Sequence, residues 1–308
     1  MGARDEDEDE GAGRRRHFGD FYAGDDDLEP DSDPIGVVLG NCQAESLRIA
    51  LEGCGVRLVR TPPIHELVAS DVEPLRRLLR RSAVVVSQPV RDDYHGLPIG
   101  TRQLLAVATD AVHAIVPVVR YAGLHPTQAI VRPPGDAGAA PPIVPYHDLR
   151  TLSEAAGRGD GRERPLTVEA VLGEAAASIA SLREREVRHG AVAISDVLER
   201  PTFAHMRTIN HPGNVVVEEL ARRVAVVLGL PGAPVPVGRP LLDGIHAPRA
   251  QVVRDAFHLD EEAREHWVVQ GVRVEVAEVH AAHLAWYAAR PDVVAAGLER
   301  HRDALDRL

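Results

Sequence analysis

The chain has 308 residues, 44% hydrophobic and 26% charged, enough to bury one large core or two smaller ones, which excludes wholesale disorder. Its 35 basic side chains are all arginine, so chemistry that needs lysine is excluded: a P-loop, a Schiff base, a lysine general base. The formal charge of −11 is concentrated in residues 1–34, where thirteen acidic and four basic side chains leave the remaining chain nearly neutral, without the basic footprint that nucleic-acid binding requires.

Residues 1–34 are poor in aliphatics and rich in Asp, Glu and Gly, and they read as a disordered acidic tail, dispensable for folding. At Ile35 a short apolar run begins and stops at Gly40 and Asn41. Helical spacing at Ala44, Leu47, Ala50 and Leu51 follows, giving a strand, a tight turn and a helix. Residues 56–59 predict a second strand, 71–81 a helix, and 82–86 a third buried strand that ends in the Ser87-Gln88-Pro89 turn. A helix over 101–110 leads to a fourth strand over 112–119 and the loop 121–126. Strands alternating with helices imply a parallel sheet, so 35–131 is expected to be a small α/β subdomain.

The Pro- and Gly-rich stretch 132–147 is expected to be a connection, and 148–308 a mainly helical part completing the site. Helices are expected over 168–198, 215–228, 248–265 and 275–308, the last split at Pro291, with no strand series. No apolar run reaches the ~18 residues that span a bilayer, and the chain does not begin with a basic-then-apolar signal. The expectation is therefore a cytoplasmic protein without a transmembrane segment. Cys42 and Cys54 are too few for a disulfide framework.

The segment Gly40-Asn41-Cys42-Gln43 carries the most chemistry. A cysteine where the first strand meets the first helix lies at the ligand-binding edge of a parallel sheet and in the positive field of a helix N-terminus, which favours thiolate. The Gln43 backbone N–H and the Asn41 amide are candidate donors to an oxyanion. Cys54, between two glycines, reads as an inert packing or turn residue. A nucleophilic cysteine needs a base, and the best placed is His211, before a strong helix, with Pro212 stiffening the backbone and Asn210 or Asn214 available to fix its tautomer. His125, after the fourth strand, is the replacement. His280 and His283 stand at i,i+3 spacing without a third ligand, so they read as a surface helix face and no metal is expected.

Four blocks in order carry a resemblance: Gly40-Asn41-Cys42-Gln43-Ala44-Glu45-Ser46-Leu47, then Ser87-Gln88-Pro89-Val90 with Tyr94 close behind, then Tyr121 to Pro126, then Asn210-His211-Pro212. A late Trp286-Tyr287 and Arg290-Pro291 extend it. Over roughly residues 35–295 the chain resembles the WcbI-type family of polysaccharide-biosynthesis acetyltransferases. The resemblance implies coenzyme A binding, O-acetylation of sugars, and a largely helical fold holding a small α/β part laid out like SGNH-type esterases. By that layout Cys42 stands where the esterase serine would be, with Gln88, Tyr94, His125, Asn210 and Asn214 as substrate- or cofactor-binding residues.

The expected function is acyl transfer from acetyl-CoA or another acyl-CoA to a sugar or small-metabolite hydroxyl, through either an acyl-Cys42 thioester, with Cys42 as nucleophile or thiol relay, or direct attack assisted by His211 as general base. CoA is expected in a groove between the α/β part and the C-terminal helices, its phosphates met by arginines that sequence does not assign. Two alternatives use the same residues or fewer: a cysteine-dependent esterase or thioesterase with water as acceptor, and a non-catalytic CoA- or nucleotide-binding protein that docks partners through its acidic tail. The acceptor, a small molecule or a glycan, and the oligomeric state are open at this point.

Overall fold

The computed structural model describes residues 13–14, 16–23, 33–133, 135–136, 138–159 and 165–308. The chain divides into two compact units. The first comprises Met1–Val118, Arg185–Ile194 and Val217–Arg239, and the second Val119–Glu184, Ser195–Val216 and Pro240–Leu308.

The first unit holds a one-turn helix, α1 (Gly19–Tyr22), and then β1 (Ile35–Leu39), α2 (Cys42–Ala50), β2 (Arg57–Val59), α3 (Val72–Arg81), β3 (Val84–Ser87), α4 (Thr101–Leu105) and β4 (Val112–Ile115). The four strands form a parallel sheet in the order β2-β1-β3-β4. β1 and β3 are apolar runs because a parallel strand covered by helices is buried on both faces. α3 turns Leu75, Leu78 and Leu79 into the core and ends on Arg80 and Arg81, whose charges suit a helix C-terminus. The register pairs Leu39 with Ser87, so β1 and β3 end level and the turns that follow them are neighbours.

The expectation of a tail outside the core is corrected at residues 16–22. Phe21 is 1% exposed and packs in the same cluster as Val37, Leu75 and Leu79. The Tyr22 hydroxyl donates to Asp71 (2.7 Å), and Arg14 pairs with the other oxygen of that carboxylate (2.8 Å). An aromatic pair on one turn of helix thus offsets the local acidity. Residues 1–12, 15 and 24–32 lie outside the described residues.

The second unit contains β5 (Gln128–Ala129) paired with β6 (His147–Asp148), α5 (Leu149–Ala155), the first part of α6 (Val168–His189), and β7 (Met206–Thr208) paired with β8 (His211–Pro212). α7 (Asn214–Leu228) starts here and finishes in the first unit. There follow β9 (Ile245–His246), α8 (Gln251–Phe257), β10 (His266–Val269), β11 (Val272–Glu275), α9 (Val276–Ala288), α10 (Pro291–Arg300) and α11 (Arg302–Arg307). One core gathers Leu149, Leu152, Tyr287 and Val293; another gathers Tyr146, Ile209, Trp267 and Val279.

The structure departs from the sequence expectations in four further places. β9, β10 and β11 form an antiparallel sheet where no strands were expected. The helix expected over 248–265 shrinks to α8, stopped by His258 at φ 54°. The fourth strand ends at Ile115 instead of 119. The division between units falls at Val118 instead of in 132–147, with two later stretches rejoining the first unit.

Candidate functional site

The turn after β1 is built by a close approach. A Cβ on Gly40 would lie 2.3 Å from Gln88 Oε1, so only glycine lets the Gln88 amide reach across. Gln88 is 4% exposed, and its backbone is held on both sides: its N–H donates to Leu39 O (2.8 Å), and its carbonyl accepts from the Ser87 and Thr101 hydroxyls (2.9 Å each). From that anchor Oε1 accepts the Asn41 N–H (2.9 Å) and Nε2 donates to Gln43 Oε1 (3.4 Å). Asn41 is the N-cap of α2, accepting the Gln43 N–H at its Oδ1 (2.9 Å). Cys42 is the first helical residue and half-buried.

This arrangement brings Asn41, Cys42, Gln43 and Gln88 together, and it alters one expected role. The Gln43 N–H is engaged by the cap, because an unpaired donor at a helix start is satisfied by the nearest side-chain oxygen. Cys54 is 0% exposed, and burial pushes its thiol up, so it is an inert packing residue. Tyr94 packs its half-buried ring against the core of the first unit, with the Arg91 guanidinium 5.8 Å above it.

The other expected site residues belong to the second unit. His125 is 5% exposed, and its Nε2–H donates to Met206 O (3.4 Å); burial, reinforced by the charges of Arg264 and Arg249, holds it at about 4. β4 ends at Ile115, and His125 belongs to the second unit. His211 opens β8 instead of lying in a loop. Burial, with Arg207 and His246 nearby, holds it at about 4, and its buried Nδ1 has no hydrogen-bond partner among the described residues. Its ring meets Tyr146 edge-on at 6.0 Å. Asn210 Oδ1 accepts from the Tyr146 hydroxyl (2.9 Å), and Asn214 Oδ1 accepts the Leu241 N–H (2.9 Å) and an Arg207 N–H (3.4 Å).

A cavity of about 290 Å³ in the second unit was missed from sequence. Its walls include His125, Tyr146, Trp267, His280 and His283. The reading of His280 and His283 as a surface face is corrected here. His283 is 2% exposed and donates to Pro142 O (3.1 Å), while His280 pairs with Glu154 Oε2 (2.7 Å). The available signal was the i,i+4 stripe of Val279, His283 and Tyr287, which lines the buried face of α9. His147, buried and held at about 4, lies 2.6 Å from the Tyr287 hydroxyl at its Nδ1. Among the described residues no group of three or more His, Cys, Asp or Glu is arranged to hold a metal ion, and no helix is long and apolar enough to cross a membrane.

The comparisons with known proteins agree with one another. A solved structure described as WcbI, a novel polysaccharide biosynthesis enzyme, in its native form without a disulfide bond between CoA and one of its cysteines, matches with a TM-score of 0.73. The match is 19% identical and covers 89% of this chain and 99% of that one, a likeness of fold. No curated protein matches. The family model described as "Polysaccharide biosynthesis enzyme WcbI" matches residues 35–233, which include the Gly40–Gln43 turn, Gln88 and His211. On that match, over more than half its length, the chain belongs to the WcbI family of polysaccharide biosynthesis enzymes.

Proposed function

We propose that the protein transfers an acyl group, an acetyl group in the first instance, from acyl-CoA to a hydroxyl of a sugar or small metabolite, with Cys42 as the nucleophile. The observation that carries this reading is a half-buried cysteine as the first residue of α2, in a turn braced by the buried Gln88 amide. The described state of the fold relative, which concerns a disulfide between CoA and a cysteine, supports the same choice of ligand. Of the two thiols here only that of Cys42 is accessible, because Cys54 is fully buried.

In the proposed sequence the Cys42 thiolate attacks the acyl carbonyl carbon. A new C–S bond forms as the bond to the CoA sulfur breaks, and CoA departs as thiolate. The field of the α2 N-terminus favours the attacking thiolate, and the Asn41 amide donates to the oxygen as it gains charge. The acceptor hydroxyl then attacks the acyl-Cys42 carbon, its proton passes to a base, and Cys42 leaves as thiolate. His211 is proposed as that base on its chemistry: a neutral imidazole whose Nδ1 has no partner among the described residues. Exchange between thioesters is nearly balanced in energy, so a thiolate relay suits this donor.

Intact mass after incubation with acetyl-CoA tests the reading. Wild type should gain one acetyl group, and Cys42→Ser none, with CoA released only by wild type. His211→Gln should still acquire the acetyl group and lose its discharge to an added sugar. Labelling of Cys42→Ser to the same extent as wild type would refute the cysteine relay, and rapid release to water with no transfer would favour a thioesterase.

A further inference from the structure

Many of the described arginines face carboxylates: Arg48 meets Glu45, Arg57 meets Asp20, Arg223 meets Glu219 and Arg307 meets Glu174. Around β7 and β9 of the second unit the pattern breaks. Arg249 and Arg264 sit directly opposite each other in an antiparallel bridge, joined by two backbone hydrogen bonds (2.8 and 3.0 Å), so their side chains leave the same face. The third member is Arg207, whose carbonyl accepts the Ala247 N–H (2.8 Å), while the carbonyl of Ala247 accepts from Arg264 (2.7 Å).

All three side chains are half-buried, and their hydrogen bonds and ring contact go to neutral groups. Arg207 Nε–H donates to Leu241 O (2.8 Å), and Arg249 lies 5.1 Å above the Phe203 ring. Arg264 donates to Ala247 O, and its buried Nε has no partner among the described residues. Among the described residues, Asp243, half exposed, is the carboxylate in ion-pair contact with the cluster, at 3.6 Å from Arg207, and it is shared with His246 at 2.8 Å. Burial and the neighbouring Arg249 lower both Arg207 and Arg264, and the same charges depress His125 and His211. Half-buried cations gathered around one shared counter-charge repel one another and destabilise a fold. Fixed guanidinium forks with spare donors are what a phosphate needs.

We infer that Arg207, Arg249 and Arg264 form an anion site that binds a phosphate group of a substrate. A phosphate contributes oxygens to the spare Arg264 Nε–H and to the Arg249 fork while cancelling the repulsion among the three. Two sources share this chemistry, the phosphates of the acyl donor and a phosphorylated sugar acceptor. The inference does not require the acyl-transfer reading, since it concerns only the anion.

Thermal shift and calorimetry on the full chain test it, with pyrophosphate, CoA, pantetheine, glucose 1-phosphate and glucose as probes. Wild type should bind pyrophosphate with an affinity that falls as salt rises. Arg249→Gln and Arg264→Gln should each weaken that binding about tenfold or more, while raising the ligand-free Tm, because one of three repelling charges is gone. Arg273→Gln, which breaks a surface pair with Glu275, is the control and should change neither. Binding of CoA but not pantetheine that fails in the variants assigns the site to the donor; binding of glucose 1-phosphate but not glucose that fails in them assigns it to the acceptor. Either pattern supports the inference, whereas acetylation of Cys42 by acetyl-CoA reports on the proposed function separately. A lower ligand-free Tm in both variants with undiminished pyrophosphate binding, or no binding by wild type at millimolar concentration, would overturn it.

Discussion

Replacing Phe21 by alanine is expected to unfold the first unit at a markedly lower temperature, although the residue lies in a segment whose composition resembles a solvated tail. The side chain is 1% exposed within the cluster that holds Val37, Leu75 and Leu79. A buried aromatic removes ~150–250 Å² from water, about 4–6 kcal/mol at ~25 cal/mol per Å². Measured truncations of buried Phe to Ala cost about 3–5 kcal/mol, a large part of the ~5–15 kcal/mol of a typical domain. The expected fall in Tm is roughly 6–20 °C. Removing residues 1–33 should do more, because it also strips Arg14 and Tyr22 from Asp71, leaving a carboxylate 2% exposed with the Val68 N–H as its remaining described partner (3.0 Å). Urea and thermal melts of wild type, Phe21→Ala and the truncated chain measure both effects. A Phe21→Ala midpoint within about 1 °C of wild type, set against the shift expected for a buried Phe, would refute the reasoning.

Gly40→Ala should push the Gln88 amide off the Asn41 N–H, lowering Cys42 acetylation at least tenfold while costing stability only about one hydrogen bond, ~1 kcal/mol; full acetylation would show that the brace is not needed. Iodoacetamide should modify Cys42 in the native protein and Cys54 only after unfolding, as peptide mapping would report, and native labelling of Cys54 would contradict its burial. Burial holds His125, His147 and His211 at about 4, below the ordinary 6.5, so between those values the unfolded chain binds protons that the folded one refuses. Their contribution is therefore intact above about pH 6.5 and is lost toward pH 4, by up to ~1.4 kcal/mol per pH unit for each histidine. Urea midpoints measured down that range should fall, and a midpoint independent of pH would exclude three neutral buried imidazoles.

The parallel sheet was legible because its central strands are apolar runs closed by Gly40-Asn41 and by Pro89, and because α3 carries its leucines at helical spacing. The Gly40–Gln43 turn was legible for the same reason: a cysteine between a strand and a helix has one place to be. The hairpin of β10 and β11 was not. Its turn is Gln270-Gly271, both at positive φ (49° and 77°), and glutamine in that position lacks the recognisable asparagine signal, while Trp267 to Val269 alone reads equally as helix. Phe18, Phe21 and Tyr22 were a visible aromatic group inside an acidic stretch, but average composition hid them. The arginine cluster could not be read at all, since Arg207, Arg249 and Arg264 meet only through strand pairing across almost sixty residues.

The interleaving of the two units bears on how the protein is made. Residues that complete the first unit reach as far as Arg239, so its parallel sheet can emerge from the ribosome long before its last segments do. At a synthesis rate of ~5–20 residues per second, the roughly 120 residues after Val118 take about 6–24 s to appear. During that interval β1 to β4 wait with apolar surface that later chain must cover, an opening for a chaperone or for the equivalent segment of a second nascent copy.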